Sequence, residues 1–485
     1  QSAGSALSTP DDPYYHLRHA LSYEEGSVMQ VPVFSTLRSS RDDLYVWYHR
    51  ALAPFTRAFG DDASAAIMGS KVFHALGAAL FFVIFFVVLT RYLAESSDPR
   101  VRRARISLAG IGSVALFALS PLFAYRVLLL RPHIFTLAVL FLAFVTLERR
   151  RLGFFFFLAA VLPLFYGASF LLFLPVGLYM LSLALYRHEF PAHRTMLAPP
   201  LIALSGVAVG TLLHTDSLRY FFNGTVVHFM AIVNRFRDAV PGGGELFTPR
   251  LIPTEIGWLL PLATILVFVF MRMVRGARSG AWQEKITFRE FYFLLSSTIL
   301  TSLTFFISRA AEYALPVVFL TLFWVGAERG PQAVHEVRNF VYNRPDFKTA
   351  PLVAALRALL ESIEERRRLL LWGVGALLVC FMAATALTAY VSASGRSGDE
   401  LRYRGAALAM AAHSAPGALV FNPDFSEYPR LVFWNTHNTY ATGMDPTFTY
   451  FFDRSLYWLM YHVGSGDYLF PRSHCSESDP DVRDP

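Results

Sequence analysis

Charge is scarce in this chain. Of 485 residues only 16% are charged, whereas 54% are hydrophobic, and the mean hydropathy is +0.40. A soluble domain carries about a quarter charged residues, and one this apolar would expose large adhesive patches. Cysteine is scarcer still. Cys380 sits in an apolar run and Cys475 in the polar tail, so the two are not expected to pair and no disulfide framework exists. The chain has no Gly-Lys-Ser/Thr phosphate loop, no Cys pair or His-x-x-x-His for zinc, and no Gly-x-Ser-x-Gly elbow, which leaves ATP hydrolysis, a zinc motif and serine-hydrolase chemistry without support. It also has no internal repeat and no low-complexity run.

What it has is long apolar runs and many phenylalanines, 45 in all. Runs near 69–90, 106–124, 133–147, 153–166, 168–186, 196–213, 254–273, 291–308, 312–327 and 369–392 predict about ten membrane-spanning helices. The stretch 153–186 reads as two helices joined at Tyr166-Gly167. Between the runs, Arg100, Arg102, Arg103 and Arg105 share one loop, Arg149 to Arg151 another, Arg187 and Arg194 a third. Arg272, Arg275, Arg278, Lys285 and Arg289 fill a fourth, and Arg366 to Arg368 end a fifth. With ten helices all five fall on one side, the cytoplasmic side by the positive-inside rule.

Residues 1–67 carry eight acids against five arginines, and 393–485 eleven against seven, so both are expected outside. The net charge of +7 then follows from topology, and no nucleic-acid partner is expected. The expected organisation is a first external segment with interfacial helices at 1–67, a transmembrane domain at 68–392, and a small outer domain at 393–485. The fold class is mainly α, a polytopic transmembrane bundle closed by a C-terminal α/β unit. In that unit 399–413 and 450–462 read as helices, and 418–421 and 431–434 as strands. A start at Gln1 leads us to expect a missing N-terminal piece, either a first membrane helix or a cleaved signal peptide.

Asp11-Asp12-Pro13-Tyr14-Tyr15-His16-Leu17-Arg18 is the most informative stretch. Locally it is a helix start: an acid caps, Pro13 fits the first turn, and the acids favour the positive end of the helix dipole. Asp12 through Arg18 also resembles the Asp-Pro-aromatic-aromatic-(Asn/His)-x-Arg pattern in the first external loop of the oligosaccharyltransferase catalytic subunit. That subunit is one of the GT-C membrane glycosyltransferases, which include protein mannosyltransferases. The resemblance implies a GT-C-like fold and an Asp facing a sugar-transfer site at the outer membrane surface. It also implies sugar transfer from a polyprenyl-phosphate donor by single displacement, with Asp12, and Asp11 after it, as base or acceptor-orienting group.

Where GT-C enzymes often carry an acidic pair on the second outer turn, this chain has Arg131-Pro132-His133. Hard divalent cations want carboxylate oxygens, so this departure weakens the case for a divalent metal cofactor, which stays open as an alternative. Arg126, Arg131 and His133 suit an anionic phosphate or snorkel at a helix end. Arg309 and Glu312, three apart, form an ionisable pair between two apolar runs, and Arg309 is a further candidate for the donor phosphate. His16, Arg18, Glu312, Asn435 and His437 are acceptor-contacting or structural candidates. The Trp-Trp-Asp acceptor motif of oligosaccharyltransferases is absent; Trp434 is followed by Asn435.

The expected function is a membrane glycosyltransferase working at the outer face of a cell membrane, a bacterial inner membrane by this reading. Membrane lipids and a lipid-linked sugar donor are its partners. Two alternatives stay open: a non-catalytic GT-C-like subunit of a membrane protein complex, and a transporter, which would place acids or broken helices at mid-membrane.

Overall fold

A computed structural model describes residues 12–25, 31–39, 43–60, 62–94, 99–118, 129–187, 193–237, 287–304, 310–343 and 403–465 except 444, with scattered positions between 123 and 127, at 307, and between 366 and 387. The run expected at 254–273 lies outside the described residues, and the run at 369–392 is described only at scattered helical positions.

The described residues begin with α1 (Asp12–Glu25) and α2 (Val46–Thr56), two helices that pack on each other. The bundle follows: α3 (Ala63–Leu93), α4 (Pro99–Ala118), α5 (His133–Glu148), α6 (Leu152–Phe165), α7 (Phe173–Arg187) and α8 (His193–Leu212). After a π-helical stretch at Phe221–Val227 come α9 (His228–Arg237), α10 (Phe288–Thr304) and α11 (Ala310–Asn343). Among the described residues, the helices at Ala63–Leu93, Ser169–Tyr186 and Ala310–Glu328 are long and apolar enough to cross a membrane. The break expected at Tyr166-Gly167 is present: α6 ends at Phe165, and a 3-10 turn at Ser169–Leu172 leads into α7.

α3 illustrates how this sequence makes a membrane helix. Asp62 starts it by accepting a hydrogen bond from the Ala65 amide at 2.7 Å. Its 31 residues reach about 46 Å, more than the roughly 30 Å of a hydrocarbon core. Phe81, Phe85, Leu89 and Tyr92 are fully buried in the bundle, while Leu76, Leu80, Val83 and Val87 are exposed. Both sets recur at three- and four-residue spacing, so one stripe meets the other helices and the other is left apolar for lipid. Gly69 is needed where α3 passes beneath α2, because a Cβ there would lie 1.7 Å from the Phe55 carbonyl oxygen.

The far end of α3 carries the basic residues. Arg105 donates to the Leu93 carbonyl at 3.1 Å. Glu148 accepts from Tyr92 and from Arg289, each at 2.6 Å, and the Arg149 guanidinium lies 4.7 Å from the Tyr92 ring centre. Several of the basic loops that the positive-inside argument grouped thus gather at one end of the bundle.

Two helix ends depart from the apolar runs. α4 starts at Pro99 and includes Arg100 to Arg105, and α11 continues past 327 to Asn343. Hydropathy marks where lipid ends, but arginine, glutamate and alanine favour helix beyond that point.

At the other end lies the C-terminal unit: α12 (Arg404–His413), β1 (Leu419–Val420), α13 (Tyr428–Trp434), β2 (Thr439–Tyr440), α14 (Pro446–Phe452) and α15 (Arg454–Ser465). β1 and β2 pair in parallel, Leu419 with Thr439 and Val420 with Tyr440. The stretch 431–434, expected as a strand, is the end of α13. A four-residue apolar run cannot distinguish strand from helix, and Pro429 in the first turn favours helix. The helix expected over 450–462 is two helices, split at Asp453, whose backbone is extended and whose carboxylate accepts from the Leu456 amide at 3.0 Å.

This unit sits on the first segment. The amides of Val33 and Phe34 donate to the Tyr440 and Ala441 carbonyls at 2.8 and 3.0 Å. The rings of Tyr14 and Phe433 meet edge-on at 5.4 Å, and Arg430 lies over the Tyr14 ring. α1, α2 and the C-terminal unit therefore occupy the same end of the bundle, opposite the basic end.

Candidate functional site

The Asp12–Arg18 motif forms the first two turns of α1. Its residues point to different neighbours, as 3.6-residue periodicity requires. Tyr14 and Leu17 pack with Ala66, Ile67 and Phe433. Tyr15 packs under the C-terminal unit with Tyr428, Leu431 and Tyr440. Asp12, His16 and His19 follow each other on the remaining face at four- and three-residue spacing.

Asp12 meets Arg131. The guanidinium Nη2 lies 2.7 Å from Asp12 Oδ2; the Asp12 side chain is 47% exposed and that of Arg131 11%. Arg131 stands immediately before α5, with Pro132 at its N-cap and His133 its first residue. The carboxylate therefore sits at the start of its own helix and beside a residue that leads into a second one. Both helix dipoles and the guanidinium favour negative charge at this point. Half-exposed and paired with Arg131, the Asp12 carboxylate is open to an acceptor on one side and held in place on the other.

Among the described residues, Asp12 belongs to no cluster of three His, Cys, Asp or Glu side chains, and the cation beside it is the Arg131 guanidinium.

His133 is 2% exposed, and its ring centre lies 6.5 Å from that of His74 on α3. Glu312 is buried in the first turn of α11. Asp11, Arg126 and Arg309 lie outside the described residues. Arg18 turns away from Asp12: it forms an ion pair with Glu25 and lines a cavity of about 460 Å³ with Arg57, Asp62, Phe433 and Trp434. Asn435 and His437 serve their own turn. The Asn435 side chain donates to Asn438 Oδ1 at 2.7 Å and accepts from the His437 amide at 2.9 Å, and His437 Nε2 meets the Ser414 carbonyl at 2.9 Å.

His16 enters a buried polar cluster. Its Nδ1 lies 2.7 Å from His49 Nε2. His49 Nδ1 is hydrogen-bonded to Asp43 Oδ2, and His19 Nδ1 lies 3.8 Å from the same oxygen. The Tyr15 hydroxyl donates to Asp43 Oδ1 at 3.3 Å. Burial lowers the His16 pKa well below the usual imidazole value, and nearby His49, Arg131, His19 and His133 add to the effect. Burial pushes the Asp43 carboxyl up, but the charge and hydrogen bond of His49, with His19, outweigh it and hold the carboxyl below its ordinary value. For Tyr15, burial and then the Asp43 charge push the hydroxyl well above its usual range. Sequence reading passed over His19, Asp43 and His49. The i, i+3 spacing of His16 and His19 was a signal, but nothing in the sequence joins α1 to residues 43–49.

No protein-family model and no curated protein matches this chain. Among solved structures, it is similar to the oligosaccharyltransferase of Archaeoglobus fulgidus in its apo form, at a TM-score of 0.50 and 12% identity, covering 90% of this chain and 61% of that one. This chain thus spans about 61% of the length of that enzyme. The likeness establishes a GT-C-like fold. ArnT from Cupriavidus metallidurans also matches, bound to undecaprenyl phosphate (TM-score 0.44, 15% identity, 90% of this chain and 82% of that one) and in the apo state (0.47, 13%, 90% and 81%).

Proposed function

We propose that this chain is a GT-C-type membrane glycosyltransferase that moves a sugar from a polyprenyl-phosphate donor to an acceptor. The reaction occurs at the end of the bundle formed by α1, the start of α5 and the C-terminal unit. The observation that carries this reading is the Asp12–Arg131 ion pair, at 2.7 Å. It places the carboxylate of the resembling motif beside the second turn of the bundle, within a GT-C-like fold. This end faces away from the cytoplasm and the chain is multi-pass; the gathering of arginines at the opposite end supports that orientation.

In the reaction, Asp12 accepts a hydrogen bond from the acceptor nucleophile, orients it, and takes its proton as the new glycosidic bond forms and the sugar–phosphate bond breaks. Arg131 fixes Asp12 and presents positive charge toward the departing phosphate, assisted by Arg126 and Arg309. Positive groups at that position stabilise charge that develops in the transition state. The partners are membrane lipids and the lipid-linked donor.

The closed Asp12–Arg131 pair also favours a second reading, in which it is a structural clasp in a non-catalytic subunit of a membrane complex. Reconstitution separates the two. Purified protein in liposomes is given polyprenyl-phosphate sugars together with lipid and peptide acceptors that carry hydroxyl or amide groups, and release of free polyprenyl phosphate is followed alongside labelling of the acceptor. The enzyme reading predicts release well above protein-free liposomes with at least one donor. No release with any donor favours the clasp.

A further inference from the structure

The cluster under α1 is unusual because of what is buried together. His19, Asp43 and His49 are 1%, 2% and 0% exposed, and one ligand atom from each lies within 4.8 Å of the other two. Buried charged and strongly polar groups are normally paired or coordinate metals. Two imidazoles and one carboxylate match the donor set of a transition-metal site. Bonds of about 2.0–2.2 Å on a tetrahedral ion place ligand atoms about 3.3 Å apart. The 3.8 Å between His19 Nδ1 and Asp43 Oδ2 is too long for a hydrogen bond and close to that spacing, whereas His49 Nδ1 and Asp43 Oδ2 are in direct contact and must part to admit an ion.

The surroundings also resemble a metal site. With an ion bound, His49 Nε2 keeps its proton and donates it to His16 Nδ1, at 2.7 Å, while the ion takes the place of the Nδ1 proton that otherwise bridges to Asp43 Oδ2. A hydrogen bond on the far ring nitrogen is how metal-binding histidines are oriented. Tyr15, through its hydroxyl on Asp43 Oδ1, plays the same part for the carboxylate.

We propose that His19, Asp43 and His49 bind one transition-metal ion, zinc first by ligand type, with His16 and Tyr15 as second-layer positioning residues. The ion joins α1 to the segment leading into α2. It stands on the same face of α1 as Asp12, two turns along, and fixes the helix that presents Asp12. It takes no part in bond making. The inference does not depend on the glycosyltransferase reading.

The test uses the full chain purified in detergent with a tag that contains no histidine. Elemental analysis after zinc loading and desalting should find about one tightly held ion per chain, as a single three-ligand site requires. His19→Gln and His49→Gln should reduce it toward zero, while His437→Gln leaves it unchanged. In wild-type protein, cobalt(II) in place of zinc should give the visible absorption of a tetrahedral ion, a readout that does not need any variant to fold. Absence of bound metal together with no cobalt spectrum would overturn the proposal and leave a buried hydrogen-bond relay. Metal retained by both variants would place the ion elsewhere and overturn it equally.

Discussion

Asp12 Oδ2 and Arg131 Nη2 lie 2.7 Å apart, where α1 begins and the chain enters α5. One residue comes from the stretch that carries the family resemblance, the other from the turn where members of that family often carry acids. The pairing converts a missing acidic pair into a positive partner for the acid that is present.

Replacing Arg131 should separate function from stability. Asp12 is about half exposed, so the pair contributes only about 1 kcal/mol or less. Arg131→Gln should therefore change the thermal midpoint little, while sugar transfer falls by about 10-fold or more through loss of charge-assisted contacts. A large loss of stability with transfer intact would identify the pair as a clasp.

The contact between the C-terminal unit and α1 should carry more energy. Phe433 is 7% exposed and meets Tyr14 edge-on at 5.4 Å. Phe433→Ala should cost about 3 kcal/mol, as buried phenylalanine truncations do, and lower the denaturation midpoint of the whole protein. An unchanged midpoint would mean that the unit does not lean on α1.

Gly69→Ala should be more damaging than its size suggests. Its Cβ would lie 1.7 Å from the Phe55 carbonyl oxygen, a backbone atom that cannot turn aside, so α2 must lift from α3. The expected loss is about 1–3 kcal/mol, read by thermal unfolding, with lower transfer activity because α2 supports α1. Wild-type stability would contradict the close approach of the two helices.

Acid should weaken the protein through His16. The folded state holds His16 below its ordinary pKa, facing His49, His19, Arg131 and His133 and the rings of Tyr15, Tyr45 and Tyr48. The unfolded chain then binds the proton that the folded chain refuses. Stability is full above the unfolded value of about 6.5 and declines as pH falls below it. The thermal midpoint should drop between about pH 7 and about pH 5, less so in His16→Gln.

Much of the bundle was legible because lipid imposes a simple rule: apolar runs of spanning length mark helices. The runs at 133–147 and 153–166 correspond within a residue or so to α5 and α6. Errors arose where that rule stops. Arg100 to Arg105 and the stretch after 327 are polar yet helical, and 431–434 is too short for periodicity to decide. At the site, Asp12 and Arg131 were legible one by one, since each sits in a local pattern. Asp43 and His49 were not, because their meaning depends on α2 folding back under α1, a long-range contact that no local pattern encodes.

The most direct test of the central claim is Asp12→Asn in a purified transfer assay with a lipid-linked sugar donor. Asparagine caps a helix about as well as aspartate, so folding and thermal midpoint should stay at wild-type values. With the charge gone, transfer should fall by about 100-fold or more, the scale of a lost positioned proton-accepting group. Full transfer activity in a well-folded Asp12→Asn protein would contradict the assignment of Asp12 to the reaction.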